Sequence, residues 1–178
     1  MITDVFITLG NVHDSIPYLS RLDYQLERFG FPVQAVGIDA GYNTSAICKG
    51  IIERDIFGVI GRRRFGGKKS YFRKSKFEYI DSEDVYICPN KCKLKYKLTM
   101  RQGYSIYESN ENDCLICPLR AKCVTSKAGK KMMTMHVWEH YKEQIMKNNK
   151  SESGKNIYKK RKETVERSFA NSKQLIWD

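Results

Sequence analysis

Two short, nearly all-apolar stretches flank a segment with helical spacing, and this pattern constrains the fold more than any other feature. They are residues 33–39 (Val-Gln-Ala-Val-Gly-Ile-Asp) and residues 56–60 (Ile-Phe-Gly-Val-Ile). Short continuous apolar runs bounded by turn residues fit strands buried on both faces. Between them Gly41 makes a turn, Asn43 or Thr44 caps a helix, and Ala46, Ile47, Ile51 and Ile52 give it an apolar face. The segment reads as β-α-β, so the two strands are expected parallel with a right-handed crossover. Functional groups in open α/β sheets gather at the carboxyl ends of strands. Asp39 stands at such an end. It reads either as a site carboxylate or as an ordinary residue opening a loop.

The flanks are less regular. Residues 4–9 (Asp-Val-Phe-Ile-Thr-Leu) are β-rich and expected to form a strand ended by Gly10-Asn11. Pro17 follows Asp14-Ser15 and opens a helix, Ile16, Leu19, Leu22, Leu26 and Phe29 recur near helical spacing, and Gly30 closes it. Residues 61–150 are basic, cysteine-bearing and broken into short β-like pieces at 77–80, 85–88, 96–99 and 104–107. They read as an insertion between a first α/β part, 1–60, and a final segment, 151–178. A helix is expected at 134–147, with Trp138, Tyr141 and Ile145 on one face. The last segment reads as one helix over 155–175, with Lys162, Glu166, Phe169 and Lys173 sharing a face. That row is either a reactive carboxylate between lysines or an exposed face with ordinary i,i+4 ion pairs.

Charge narrows the partner. The 178 residues carry 32 Lys+Arg against 20 Asp+Glu, a formal net charge of +12. Residues 1–40 contribute none of this surplus, since they hold two basic and five acidic side chains. The densest stretch, residues 62–74, has Arg62, Arg63, Arg64, Lys68 and Lys69 with aromatics interleaved and no acid. A second run spans Lys159, Lys160, Arg161 and Lys162. Such a surplus favours a polyanion, with nucleic acid ahead of an anionic membrane. The competing reading of 62–74 is a solvated basic loop. No apolar run approaches the ~20 residues of a membrane span, and no signal peptide is expected from the first residues. A cytoplasmic location follows as an expectation.

Six cysteines then read as metal ligands or free thiols rather than disulfides. Cys114-Leu-Ile-Cys117 followed by Cys123 supplies three candidate zinc ligands, with Cys88 a fourth and Cys92 its alternative. Reduced, partly buried thiols remain the other reading. Cys48 lies on the apolar helix and is expected in the core.

Three pieces coincide: Gly10-Asn11-Val12-His13-Asp14-Ser15, then Asp39-Ala40-Gly41-Tyr42-Asn43-Thr44, then the stretch from Tyr158 through Arg161, Glu166 and Phe169 to Lys173. Together they resemble the C-terminal catalytic part of bacterial insertion-sequence transposases of the DDE superfamily. The segment around Cys117-Pro-Leu-Arg120 resembles the subgroup with a cysteine-bearing insertion between the second Asp and the Glu. The resemblance implies an α/β, RNase H-like fold acting in DNA transposition, with homo-oligomers in the intact family. It implies that Asp39 and Glu166 are the second and third catalytic carboxylates, holding Mg²⁺ or Mn²⁺, and that Lys173 contacts a phosphate. Tyr158 and Arg161 match the helix signature with a shift of one residue, because Lys162 stands four before the Glu. The first strand and its Asp have no counterpart, so a truncated domain without cleavage activity of its own is expected. A non-catalytic nucleic-acid-binding module, using the basic loop on phosphates, is the alternative. A zinc-stabilised interaction domain is a third class.

Overall fold

The structure, a computed structural model, describes residues 4–62, 71–124 and 129–166, with the backbone alone at 165 and 166. The elements run α1 (Tyr18–Phe29), β1 (Ala35–Ile38), α2 (Ser45–Ile52), β2 (Phe57–Ile60), β3 (Glu78–Ile80), β4 (Val85–Ile87), β5 (Lys93–Thr99), β6 (Tyr104–Ser109), α3 (Glu111–Leu115), α4 (Arg120–Cys123), β7 (Met132–His136), α5 (Glu139–Lys150) and α6 (Glu152–Arg161). A π-helical turn, Lys162–Glu166, continues α6. The described residues fall into two compact units, one within 1–64 and 138–178, the other within 65–137. The chain is thus of mixed α/β class.

In the first unit β1 and β2 pair in parallel, from Ala35 opposite Phe57 to Ile38 opposite Ile60. The β-α-β expectation therefore matches the fold. Thr44 caps α2 through its hydroxyl, which accepts from Ile47 N at 3.2 Å. Ile47, Cys48 and Ile51 on α2 pack with Leu22, Ile60 and Ile145 into one core. Burial pushes the Cys48 thiol up to about 11, so it stays protonated and inert at neutral pH. Arg54 grips Asp23 of α1 with two bonds of 2.6 Å and so ties α1 to the end of α2.

β2 would leave backbone groups unpaired on its free edge. Helix α5 satisfies them with side chains. Asn149 accepts from Ile60 N at 3.1 Å and donates to Ile60 O at 2.8 Å. Asn148 donates to Gly58 O at 3.1 Å. Ile145, 1% exposed, fills the space behind. This helix, grouped by sequence with the insertion, packs on β2 and α2 of the first unit. Ser151 then starts α6, its hydroxyl accepting from Gly154 N at 3.1 Å. Gly154 must lack a side chain here, because a Cβ would collide with the Asn148 carbonyl.

Three expectations change. Residues 4–9 form no strand; Val5 is 78% and Ile7 88% exposed, and no neighbouring strand among the described residues pairs with their backbone. Asp4 instead accepts from Arg21 at 2.8 and 2.5 Å. The helix expected at 134–147 begins only at Glu139. Before it, Met132–His136 extends as β7, because Met133 and Met135 bury at period two while the backbone pairs with β6. The helix expected over 155–175 starts at Glu152 and changes winding at Lys162; its continuation past 166 lies outside the described residues.

The second unit is an antiparallel sheet in the order β3-β4-β5-β6-β7. Phe77, Tyr86, Leu94, Tyr107, Met133 and Met135 form its core. Tyr79 and Tyr107 both donate to Asp84 Oδ1, at 2.8 and 2.7 Å. Glu108 on β6 accepts from Lys97 at 2.8 Å and from Lys130 at 2.7 Å. Those two ammonium groups hold its carboxyl below the ordinary 4.5.

Two outcomes are expected. Asn149→Ala leaves a strand N–H and C=O without partners and should cost about 1–3 kcal/mol in chemical denaturation; an unchanged midpoint would contradict the edge role. Glu108→Gln should lower stability by about 1 kcal/mol at neutral pH, from two pairs of the surface kind. Because the folded pKa is depressed, that difference is full above about pH 4.5 and fades as pH falls through the lower folded value. Melting curves of both proteins between pH 3 and 8 test it; a gap that persists at the acid end refutes the assignment.

Candidate functional site

The carboxyl ends of β1 and β2 meet at one place in the first unit. Gly61 N donates to Ile38 O at 3.0 Å and closes the strand pair. Asp39 leaves β1 there with extended backbone, and its Oδ1 accepts from Ala40 N at 2.7 Å. The side chain is 63% exposed. Asn43, on the turn that follows, donates to Gly61 O at 3.4 Å rather than capping α2. These contacts pin the loop that presents Asp39.

Helix α6 lies on β1 and β2 and brings two more of the expected residues to the same end. Arg161 Nη2 stands 3.8 Å from Asp39 Oδ1. A Cβ on Gly61 would lie 2.8 Å from the Tyr158 hydroxyl and 2.9 Å from Ala40 N. Glycine is therefore what lets Tyr158 and the Asp39 loop close on the end of β2. The Tyr158 ring lies between two cations, with the Arg161 guanidinium 5.7 Å and Lys162 Nζ 5.6 Å from its centroid. Arg62 follows Gly61 directly and is exposed. Asp39, Tyr158, Arg161 and Lys162 are thus gathered at one strand end, with Arg62 next to it in the chain. The Glu166 side chain, Arg63, Arg64, Lys68, Lys69 and Lys173 lie outside the described residues.

An exposed carboxylate at an open strand end suits a hard cation, which takes oxygen ligands. Its neighbours suit phosphate, since guanidinium and ammonium groups donate to phosphate oxygens. Among the described residues no three His, Cys, Asp or Glu side chains are gathered closely enough to hold a metal as they stand. The sequence reading missed Gly61 and the reach of Asn43. A glycine right after an apolar strand was the only available signal.

The other candidate ligands are in the second unit. Cys88 and Cys92 flank the turn from β4 to β5, where Cys88 N donates to Cys92 O at 2.9 Å. Cys114 is on α3, Cys117 follows it, and Cys123 ends α4. All five thiols are free and line one cavity of about 20 Å³. Burial and the neighbouring thiols push Cys92 and Cys123 upward.

Among the described residues no helix is long and apolar enough to cross a membrane. The family model described as the transposase DDE domain matches residues 87–176. That span runs from the last residue of β4, through the cysteine segment and α6, to beyond the π-helical turn. No curated protein and no solved structure matches. With about half of its length inside the match, the chain belongs to the transposase DDE domain family.

Proposed function

We propose that this chain serves DNA transposition, as the part of an RNase H-like DDE catalytic domain that carries the second and third carboxylates, Asp39 and Glu166. The observation that carries this reading is the approach of Arg161, within the matched span, to Asp39, outside it. The same helix leads to Glu166. In an α-helix, residues five apart point about 140° away from each other. A π turn closes i→i+5 bonds and returns position i+5 to the side of position i. The π winding of Lys162–Glu166 therefore supports a backbone at 166 that comes round to the side of Arg161.

The residues fit a divalent cation of the kind the family uses, Mg²⁺ or Mn²⁺. When bound, such an ion activates water or a 3′-hydroxyl and stabilises an in-line phosphoryl transfer. Asp39 offers a largely exposed carboxylate, with Oδ1 held by Ala40 N, and Glu166 would supply the second. Arg161, Tyr158, Lys162 and Lys173 would orient a DNA phosphate beside them. Arg62, Arg63, Arg64, Lys68 and Lys69 would bind backbone phosphates without reading sequence. Two carboxylates hold one ion weakly, so no plasmid nicking is expected from this chain by itself.

Manganese binding read by electron paramagnetic resonance, alongside DNA binding at several salt concentrations, tests the proposal. The chain should bind one Mn²⁺ weakly, and both Asp39→Asn and Glu166→Gln should abolish this. DNA binding should persist in both variants, and Arg62→Ala should lower its salt slope by about one. Manganese binding unchanged in either variant would sink the carboxylate assignment. DNA binding with no manganese site at all would leave a nucleic-acid-binding module without chemistry.

A further inference from the structure

Five thiols converge on one cavity, and the reading of the strand-end site uses none of them. They arrive from three separate stretches of chain: the turn after β4, the end of α3, and the end of α4. A cavity of about 20 Å³ has room for one ion and little more. The thiols differ in how they are bonded. Cys92 N donates to Cys88 Sγ at 3.3 Å, and Ser109 Oγ lies 3.0 Å from Cys114 Sγ. These contacts fix the places of the Cys88 and Cys114 sulfurs. Cys92 Sγ instead donates to the Asn90 carbonyl, 3.6 Å away, and so is engaged within its own turn. Arg120 and Lys131 line the same cavity, and Lys131 Nζ donates to the Cys123 carbonyl at 3.1 Å. Two cations beside a cluster of thiols suit a centre with surplus negative charge.

We propose that Cys88, Cys114, Cys117 and Cys123 hold one structural Zn²⁺, with Cys92 outside the ligand set. Zinc–sulfur bonds of about 2.3 Å require sulfurs about 3.8 Å apart in a tetrahedron. Among the described residues no three such side chains are gathered closely enough as they stand, so the proposal requires the cysteine side chains to turn further into the cavity they line. On binding, each of the four thiols forms one Zn–S bond and releases one proton to solvent. Four thiolates and one Zn²⁺ leave a net charge of about −2; Arg120 and Lys131 line the cavity against that charge, with Asp113 adding one more negative group. The ion would tie the β4–β5 turn to the helical segment after β6.

The test uses the full chain, reduced and handled without oxygen. Zinc analysis should find about one equivalent. Cobalt titration of the unsubstituted chain should give the intense visible bands of a tetrahedral tetrathiolate centre, with saturation at one equivalent. Cys92→Ser should keep both results, and Cys88→Ser, Cys114→Ser, Cys117→Ser and Cys123→Ser should each lose zinc. Failure of the reduced chain to take up zinc, a weak six-coordinate cobalt spectrum, or disulfides formed among these five thiols would overturn the site. Zinc lost in Cys92→Ser would overturn the ligand assignment. Because the cobalt spectrum is read on the unsubstituted chain, a variant that fails to fold does not decide the matter.

Discussion

A parallel pair of four-residue strands is too small to stand alone. β2 owes its persistence in this fold to α5, whose Asn148 and Asn149 take the place of a neighbouring strand on its edge. Side-chain amides suit the task because each carries both a donor and an acceptor. The same helix inserts Ile145 beneath the strands. Satisfying the edge and filling the core are thus done by one element, and the chain then passes through Ser151 into α6. The contacts of Tyr158 and Arg161 at the strand ends depend on that path.

The strand-end site follows from it. Asp39 is held by its own loop, Arg161 by α6, and Gly61 leaves room for Tyr158 and the Asp39 loop to close on the end of β2. The cation brought to the Asp39 carboxylate is Arg161, 3.8 Å from its Oδ1. The family match includes Arg161 and leaves Asp39 outside it.

The second unit is built otherwise. Its sheet is antiparallel, with short connections from β3 to β6 and the segment carrying α3 and α4 between β6 and β7; a tyrosine pair on Asp84 and a glutamate between two lysines link its strands. Its core is made mostly of Phe, Tyr, Leu and Met, with Cys123 at its margin. The remaining thiols gather around the adjoining cavity. A small sheet with one apolar core gains from a cross-link where its helical segment meets its strands.

Much of the first unit was legible in the amino-acid order. Residues 33–60 announce β-α-β because two short, mostly apolar runs suit strands and the segment between them has the helical period; β2 is then largely buried, whereas β1 is only partly so. The place of Asp39 just after a strand was legible too. Residues 4–9 misled because alternation alone supplies no partner. Residues 134–136 misled because they read as the start of the helix at 134–147, whereas they pair with β6 as the end of β7. Tyr158 and Arg161 looked one position out of place in the sequence; the packing of α6 on β1 brings them to Asp39. By itself, then, the sequence determined which segments have which period, where charge concentrates, and which family the motifs resemble. Tertiary structure alone decided that two asparagines complete a sheet edge, that five cysteines share one cavity, and that Arg161 meets Asp39. Periodicity records which side of an element is apolar, whereas a partner distant in the chain is chosen only when those sides pack.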